Sequence, residues 1–327
     1  MFFECKNCGG NVVYDPSKGR MYCPHCDSEE SQEMKKDDSL TVCPNCGGTL
    51  NVKQYTSACK CEYCGCYLIF DERVEGEFTP HMILPFKVSK AAAVEAMKKE
   101  FGTRIFTPAD FMSEKSLKGM EGIYVPFWMY DYQAEYDFAG EGTKVRTWVA
   151  GNMEYVETSY YEVLRKMDAT FDRIPVDASY AMADGVMDLM EPYSYQELIG
   201  FDPKYMSGFY GEVYNQTSDE LDGRAQVKAR NASEEMLQTS LQGYQSMKTQ
   251  QKDLKLTDSG VNYALMPVWQ YEYSYKGQTY QYHVNGQTGK VVGITPVSKP
   301  TVLLYGASVF AFVTAICTLV VRILEIL

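Results

Sequence analysis

The sequence predicts an α+β protein with small metal-nucleated modules at the N-terminus, an antiparallel-sheet domain in the middle and one apolar helix at the end. Three observations carry this. Ten of the eleven cysteines lie before residue 67, and eight of them form paired CxxC motifs. The middle of the chain alternates aromatic and β-branched residues between turn signals. Residues Thr301 to Val321 carry no charge.

The cysteines come first. Cys5, Cys8, Cys23 and Cys26 are each followed 38 residues later by Cys43, Cys46, Cys61 and Cys64. Four ligands repeated at one offset predict two tandem zinc ribbons, over 1–30 and 40–70. Tetrahedral zinc takes four thiolates, so each site is closed and structural, with no position left for water. Modules this small cannot fold on a hydrophobic core alone, so metal binding becomes folding energy. In the first ribbon, Asp15-Pro-Ser-Lys-Gly19 turns a hairpin between Asn11–Tyr14 and Arg20–Tyr22. Gly9, Gly47 and Gly65 follow knuckle cysteines where a left-handed backbone is needed, and Asp27 stands in the fourth such place. The repeat offset leaves Cys59 and Cys66 outside the ligand sets, and His25 reads as a solvated knuckle residue.

Charge narrows the function classes. The net charge is −12, and the first 80 residues carry 8 Lys/Arg against 13 Asp/Glu. Two four-thiolate zinc sites would take the total to roughly −16. Such a surface is a poor match for phosphate backbones, which argues against nucleic acid as partner. The ribbon begins directly after Met1-Phe2-Phe3, leaving no room for an export signal, and paired CxxC motifs then fit a reducing cytosol.

Polar, charged stretches at Ser28–Ser39 and Asp71–Thr79 read as flexible linkers (31–39 and 71–79 between domains). The α+β domain covers 80–298. It opens with a strand in His81–Val88, then a helix Ala91–Phe101 capped by Ser89 and stopped by Gly102. A short helix is expected after Thr107-Pro108. Ile123–Tyr132 and Ala264–Tyr273 share the pattern apolar-x-Pro-apolar-Trp-x-Tyr-acid-Tyr, a second internal repeat implying two equivalent strands in one sheet or in two related halves. Residues 143–172 alternate as strands, Pro175–Ser179 reads as a turn, and Asp184–Met190 and Ser194–Ile199 read as helical. Ser218–Leu256 reads as one long helix or a broken pair with Ser233 as a restart cap, and Lys228, Arg230, Lys248, Lys252 and Lys255 as its solvated basic face. Strands at Tyr271–Tyr275, Gln278–Val284 and Lys290–Ile294 close the domain.

No nucleotide-binding glycine motif, P-loop, HExxH or GxSxG is present, so the expectation is not an enzyme, with no small-molecule substrate evident. Carboxylate pairs such as Asp131/Glu135 and Asp184/Asp188 read as solvated faces. A thiol-redox role for Cys59 and Cys66 is the third reading, after a scaffold and a nucleic-acid binder.

Within the expected transmembrane helix, 300–322, the uncharged run Thr301–Val321 is about 32 Å long, the thickness of a bilayer core. A single membrane span is expected, with the bulk of the chain on the cytosolic side of the cytoplasmic membrane. Ala307, Ala311 and Ala315 place small side chains on one stripe, the pattern that lets two spans pack closely.

The chain resembles a bacterial family of zinc-ribbon membrane proteins. Members are described as similar to the zinc ribbon of transcription factor B or the zinc part of the primosomal restart helicase. The likeness rests on the two CxxC…CxxC ribbons, Tyr124-Val-Pro-Phe-Trp128, Pro175-Val-Asp-Ala-Ser179, Glu191-Pro-Tyr193 and Tyr205-Met-Ser-Gly-Phe-Tyr210. The resemblance implies protein partners, including phage-shock-type membrane-stress proteins, beside which such proteins tend to be encoded. Helicase activity is not implied, because the nucleotide-binding motif is missing.

Overall fold

A computed structural model describes residues 1–36, 41–108 and 110–326. The chain starts with β1 (Phe2–Cys5), the hairpin β2 (Val13–Asp15) and β3 (Arg20–Tyr22), and then β4 (Gln32–Lys35). β4 pairs antiparallel with β1, so the expected flexible linker at 31–39 contains a sheet strand instead. Residues 37–39 of that stretch lie outside the described residues. The second hairpin is β5 (Thr56–Lys60) and β6 (Tyr67–Ile69).

The second expected linker is also packed. Asp71–Arg73 and Gly76–Phe78 form 3-10 turns, and Asp71 and Val74 are buried. The Met1 ammonium donates to Asp71 Oδ1 at 2.8 Å, and the Arg73 guanidinium donates to the Lys53 and Thr56 carbonyls at 2.7 Å each. These partners are far away in sequence, which is why an acidic stretch read as a tether.

The larger part begins with β7 (Met82–Ile83), two residues where a longer strand was expected, and α1 (Lys90–Phe101). Ser89 Oγ accepts from Ala92 N–H at 3.3 Å, and the helix ends at Gly102, as predicted. The short helix α2 is at Glu114–Leu117, later than Thr107-Pro108 suggested. Two long strands follow, β8 (Glu121–Ala150) and β9 (Met153–Asp177), and then α3 (Asp184–Met190). Pro175–Asp177 thus ends a strand rather than forming a turn. Tyr195–Glu197 is a single 3-10 turn, with β10 (Ile199–Gly200) and β11 (Tyr210–Glu212) after it. The chain continues through α4 (Ser218–Ser240), β12 (Ser246–Tyr275), β13 (Gln278–Asn285), β14 (Val291–Gly293) and α5 (Lys299–Ile326).

The expected helix over Ser218–Leu256 is half right. α4 starts with a capping box: Thr217 Oγ1 accepts from Glu220 N–H, and Glu220 Oε2 accepts from Thr217 N–H. Leu221, Ala225, Ala229, Ser233 and Leu237 form its buried stripe. Ser233 is therefore an interior residue, donating to the Ala229 carbonyl at 2.8 Å, and not a cap. Gly243, at φ +98°, marks the turn out of the helix. From Ser246 the chain is strand, paired antiparallel with β8 from Ser246↔Thr143 to Gln270↔Glu121. The Lys/Gln-rich run 246–256 has good helix formers, but a long strand edge offering every backbone bond overrides propensity. Lys248, Lys252 and Lys255 consequently lie on β12, not on a helix face.

A ten-stranded sheet runs β10-β7-β12-β8-β11-β5-β6, with β9 beside β8 and β13 and β14 beyond β12. Its centre is a local two-fold. Val125 and Met266 occupy the same place in the two copies of the Pro-Trp-Tyr motif, and they pair directly with each other. β11 runs parallel to Ile123-Tyr124, and β7 runs parallel to the equivalent Ala264-Leu265. Trp128 Nε1–H donates to the Gln216 carbonyl at 2.9 Å, and Trp269 Nε1–H donates to the Val88 carbonyl at 2.8 Å. Each acceptor immediately precedes a helix cap, Thr217 or Ser89. Two copies of short strand–helix–long strand–partner strand are thus interlocked, each short strand pairing with the other copy's long strand.

Removing either indole donor leaves a carbonyl without its partner, so Trp128→Phe and Trp269→Phe should each cost about 1–3 kcal/mol in chemical denaturation. A cost near zero for one of them would break the equivalence. His283 on β13 is 2 % exposed, and both its ring nitrogens lack a hydrogen-bond partner. Burial pushes its pKa from 6.5 down to about 4, opposed by Glu272. The unfolded chain then takes up the proton first as pH falls, so stability should drop between pH 6.5 and 4, by at most about 1.4 kcal/mol per pH unit. Denaturation of His283→Gln across that range should lack this component; an unchanged slope would contradict it.

Candidate metal centres

Four knuckles are built alike. In each, the first cysteine's carbonyl accepts from the N–H four residues on: Gly9→Cys5 2.8 Å, Asp27→Cys23 2.9 Å, Gly47→Cys43 2.8 Å and Gly65→Cys61 2.9 Å. Each first cysteine also donates its N–H to the carbonyl five residues on, at Gly10, Ser28, Gly48 and Cys66. One residue outside, the chain closes on itself through Glu4↔Asn11, Tyr22↔Glu29, Val42↔Thr49 and Lys60↔Tyr67. The fourth residue after each first cysteine has positive φ (72°, 60°, 73° and 74°), at Asp27 as at the three glycines. That conformation turns the chain sharply enough for both sulfurs of a CxxC to face one point.

Knuckles then meet in pairs. The thiols of Cys5, Cys8, Cys23 and Cys26 lie within 4.8 Å of one another, and so do those of Cys43, Cys46, Cys61 and Cys64. Among the described residues these are the two groups able to hold a metal ion. Measured sulfur separations are 3.7 Å (Cys5–Cys26), 3.6 Å (Cys8–Cys23), 3.7 Å (Cys43–Cys64) and 3.8 Å (Cys46–Cys61). A tetrahedron with metal–sulfur bonds of about 2.3 Å has edges of about 3.8 Å, so the donor set fits zinc in both places. In each group the first cysteine of a knuckle is buried and the second is exposed.

Polar residues around the sulfurs follow the same repeat, and sequence reading missed them. Asn45 Nδ2 donates to Cys64 Sγ at 3.4 Å. Its counterpart Asn7 donates to Ser28 Oγ at 2.8 Å, and that hydroxyl lies 2.9 Å from Cys26 Sγ. Donors to thiolate stabilise its charge and orient it. The signal was the asparagine before the second cysteine of each first knuckle, at the same 38-residue offset.

Neither module stands apart. Cys5 and Cys23 belong to the main core with Val12, Tyr14 and Met21. Tyr14 N–H donates to the Ser207 carbonyl at 2.8 Å, Ser207 Oγ donates to the Val12 carbonyl at 2.6 Å, and Tyr14 packs edge-on against Tyr205 at 5.1 Å. The second module's hairpin β5–β6 is the end of the ten-stranded sheet, joined through β11. Asn11 Oδ1 accepts from Tyr67 N–H at 3.0 Å, tying the two modules together.

Burial pushes the Cys59 thiol up to about 11 and the Cys66 thiol up to about 12, so both stay protonated at neutral pH. Arg224 reaches Asp177 at 3.0 Å, Asp184 at 3.2 Å and Asp188 at 3.5 Å. Lys228 reaches Asp188 and Glu191 at 2.7 Å each. Burial raises the Asp177 and Glu191 pKa values despite these cations. Asp184 and Asp188 therefore help clamp α3 to α4, and Lys228 belongs to that clamp rather than to a solvated face. Asp131 Oδ1 accepts from Arg173 N–H at 2.7 Å at a bulge in β9, where Arg173 has positive φ, and Glu135 faces Lys255 at 3.6 Å. Ala307, Ala311 and Ala315 lie at four-residue spacing on α5, all exposed.

Two clefts flank the central strands, of about 870 Å³ and 510 Å³. The local two-fold relates Asp131 and Asn262 of the first to Glu272 and Glu121 of the second. Their chemistry differs: Arg173 lines one where Gln281 lines the other.

Metal analysis of the purified protein should give about two zinc equivalents per chain, and Cys26→Ser or Cys64→Ser should each remove about one. Retention of both equivalents by either variant would contradict the ligand sets. Comparison with known sequences and structures finds no matching family description and no matching solved structure. The uncharacterized protein YdjG of Bacillus subtilis (strain 168) is 32 % identical over 309 residues, covering 91 % of this chain and 90 % of that protein. With that identity along almost the whole of both sequences, the chain belongs to the same family as YdjG.

Proposed function

We propose that this chain is a membrane-anchored, zinc-stabilised scaffold that recruits partner proteins to the cytosolic face of a bilayer. The observation that carries the reading is the pairing of two closed four-thiol centres with an apolar helix that has no place in the core. Lys299–Ile323 is long and apolar enough to cross a membrane, and none of its most apolar window is buried in the body. A helix presenting Leu303, Leu304, Phe310 and Phe312 at 68–77 % exposure needs a cover of its own polarity, and a bilayer supplies it. Closed thiolate sites organise backbone rather than activate water, so the reading is a scaffold and not an enzyme. Zinc ribbons and a phage-shock-like membrane-stress setting remain part of this proposal, on the family resemblance. Within it, Ala307, Ala311 and Ala315 form a close-packing stripe for a second span.

Two experiments test the reading. Full-length protein should sediment with membranes and resist high-salt extraction, and recovery in the soluble fraction would count against it. Replacing the three alanines with isoleucine should abolish association in a transmembrane reporter assay, and undiminished association would remove the stripe. Salt-sensitive retention of the intact protein on a nonspecific duplex would favour a nucleic-acid role over a scaffold.

A further inference from the structure

The loop after α1 is built onto the base of α5. Ser298 N–H donates to the Phe106 carbonyl at 2.7 Å, and Phe106 meets Tyr305 edge-on at 5.4 Å. The Arg104 guanidinium donates to Thr295 Oγ1 at 3.2 Å and to Glu100 at 3.2 Å, and sits 4.6 Å over the Phe101 ring. Tyr282, from the sheet, donates to the Ile294 carbonyl at 2.8 Å. Helix base, loop and sheet are therefore locked together.

Around this joint, large apolar side chains point outward. Ile105 is 58 % exposed, Val297 58 % and Ile294 80 %. Polar neighbours would have served a water-facing loop better, and three such residues at one joint form a patch that needs a partner. Tyr305 beside them is a residue of the membrane-interface belt, with a polar tip on an apolar body.

We propose that Ile105, Ile294 and Val297 form a collar that sinks into the lipid headgroup–acyl boundary where α5 enters the bilayer. This rests on the reading of α5 as a membrane span. It adds a second, peripheral contact, which holds the body on the membrane surface in one orientation instead of letting it swing on a tether. The lipid surface is the occupant because the patch is continuous with the first turns of the apolar helix and fixed to it.

The test uses full-length protein in phosphatidylcholine nanodiscs, unbrominated or with lipids brominated either near the top of the acyl chain or near its terminal methyl. Ile105→Trp and Val297→Trp report the collar, Phe312→Trp reports the span, and wild-type emission is subtracted. With a seated collar, each collar tryptophan loses emission in brominated lipid relative to the unbrominated disc. Quenching of Phe312→Trp with none at either collar position overturns the collar and leaves the span standing. No quenching at any of the three overturns both.

Discussion

The antiparallel pairing of β8 with β12 is the constraint on which the rest depends. Its centre is the Val125–Met266 pair, where two copies of one motif face each other across a local two-fold. Because the copies are equivalent, each long strand offers the same free edge to the other's short strand. β11 takes one such edge and carries β5 and β6 with it, so the second cysteine module is attached to the sheet. The same pairing presents Tyr130 and Tyr132 to α4, where their hydroxyls bond Ser218 and Asp222. The equivalent Tyr271 and Tyr273 bond Phe111 and Asp110. A slip of one residue would turn every one of these side chains to the opposite face.

The metal centres act at the other end of this arrangement. Four short knuckles have little apolar surface of their own, and thiolate–metal bonds at the two cysteine groups would replace the core they lack. Yet each inner cysteine also faces protein, and Tyr14, Ser207 and Asn11 join both modules to the body. Because the β5–β6 hairpin between the second pair of knuckles is also a sheet edge, a metal held there would couple its binding to the order of the sheet.

The cysteine framework could be read directly, because metal ligation imposes residue type and spacing together. So could α1, α3 and the Pro-Trp-Tyr repeat, because the Ser89 cap of α1 and the apolar patterns of all three are local. What escaped was non-local. Gln32–Lys35 and Asp71–Val74 look like tethers until β1 and Met1 supply their partners. Ser246–Leu256 has helix-forming composition, and only β8 makes it a strand. Asn7 and Asn45 were visible in the 38-residue repeat, but a single polar residue inside a knuckle has no meaning until a sulfur lies beside it.

The central claim is that the two cysteine centres are joints of one body. Amide hydrogen exchange on the intact protein, before and after zinc is withdrawn by a chelator, tests it most directly. Loss of protection should begin at the four knuckles and spread through β5 and β6 into β11, reaching the Ile123–Tyr124 edge of β8. If protection is lost in the knuckles alone while β11 and β8 exchange as before, the modules are independent appendages and the account is wrong.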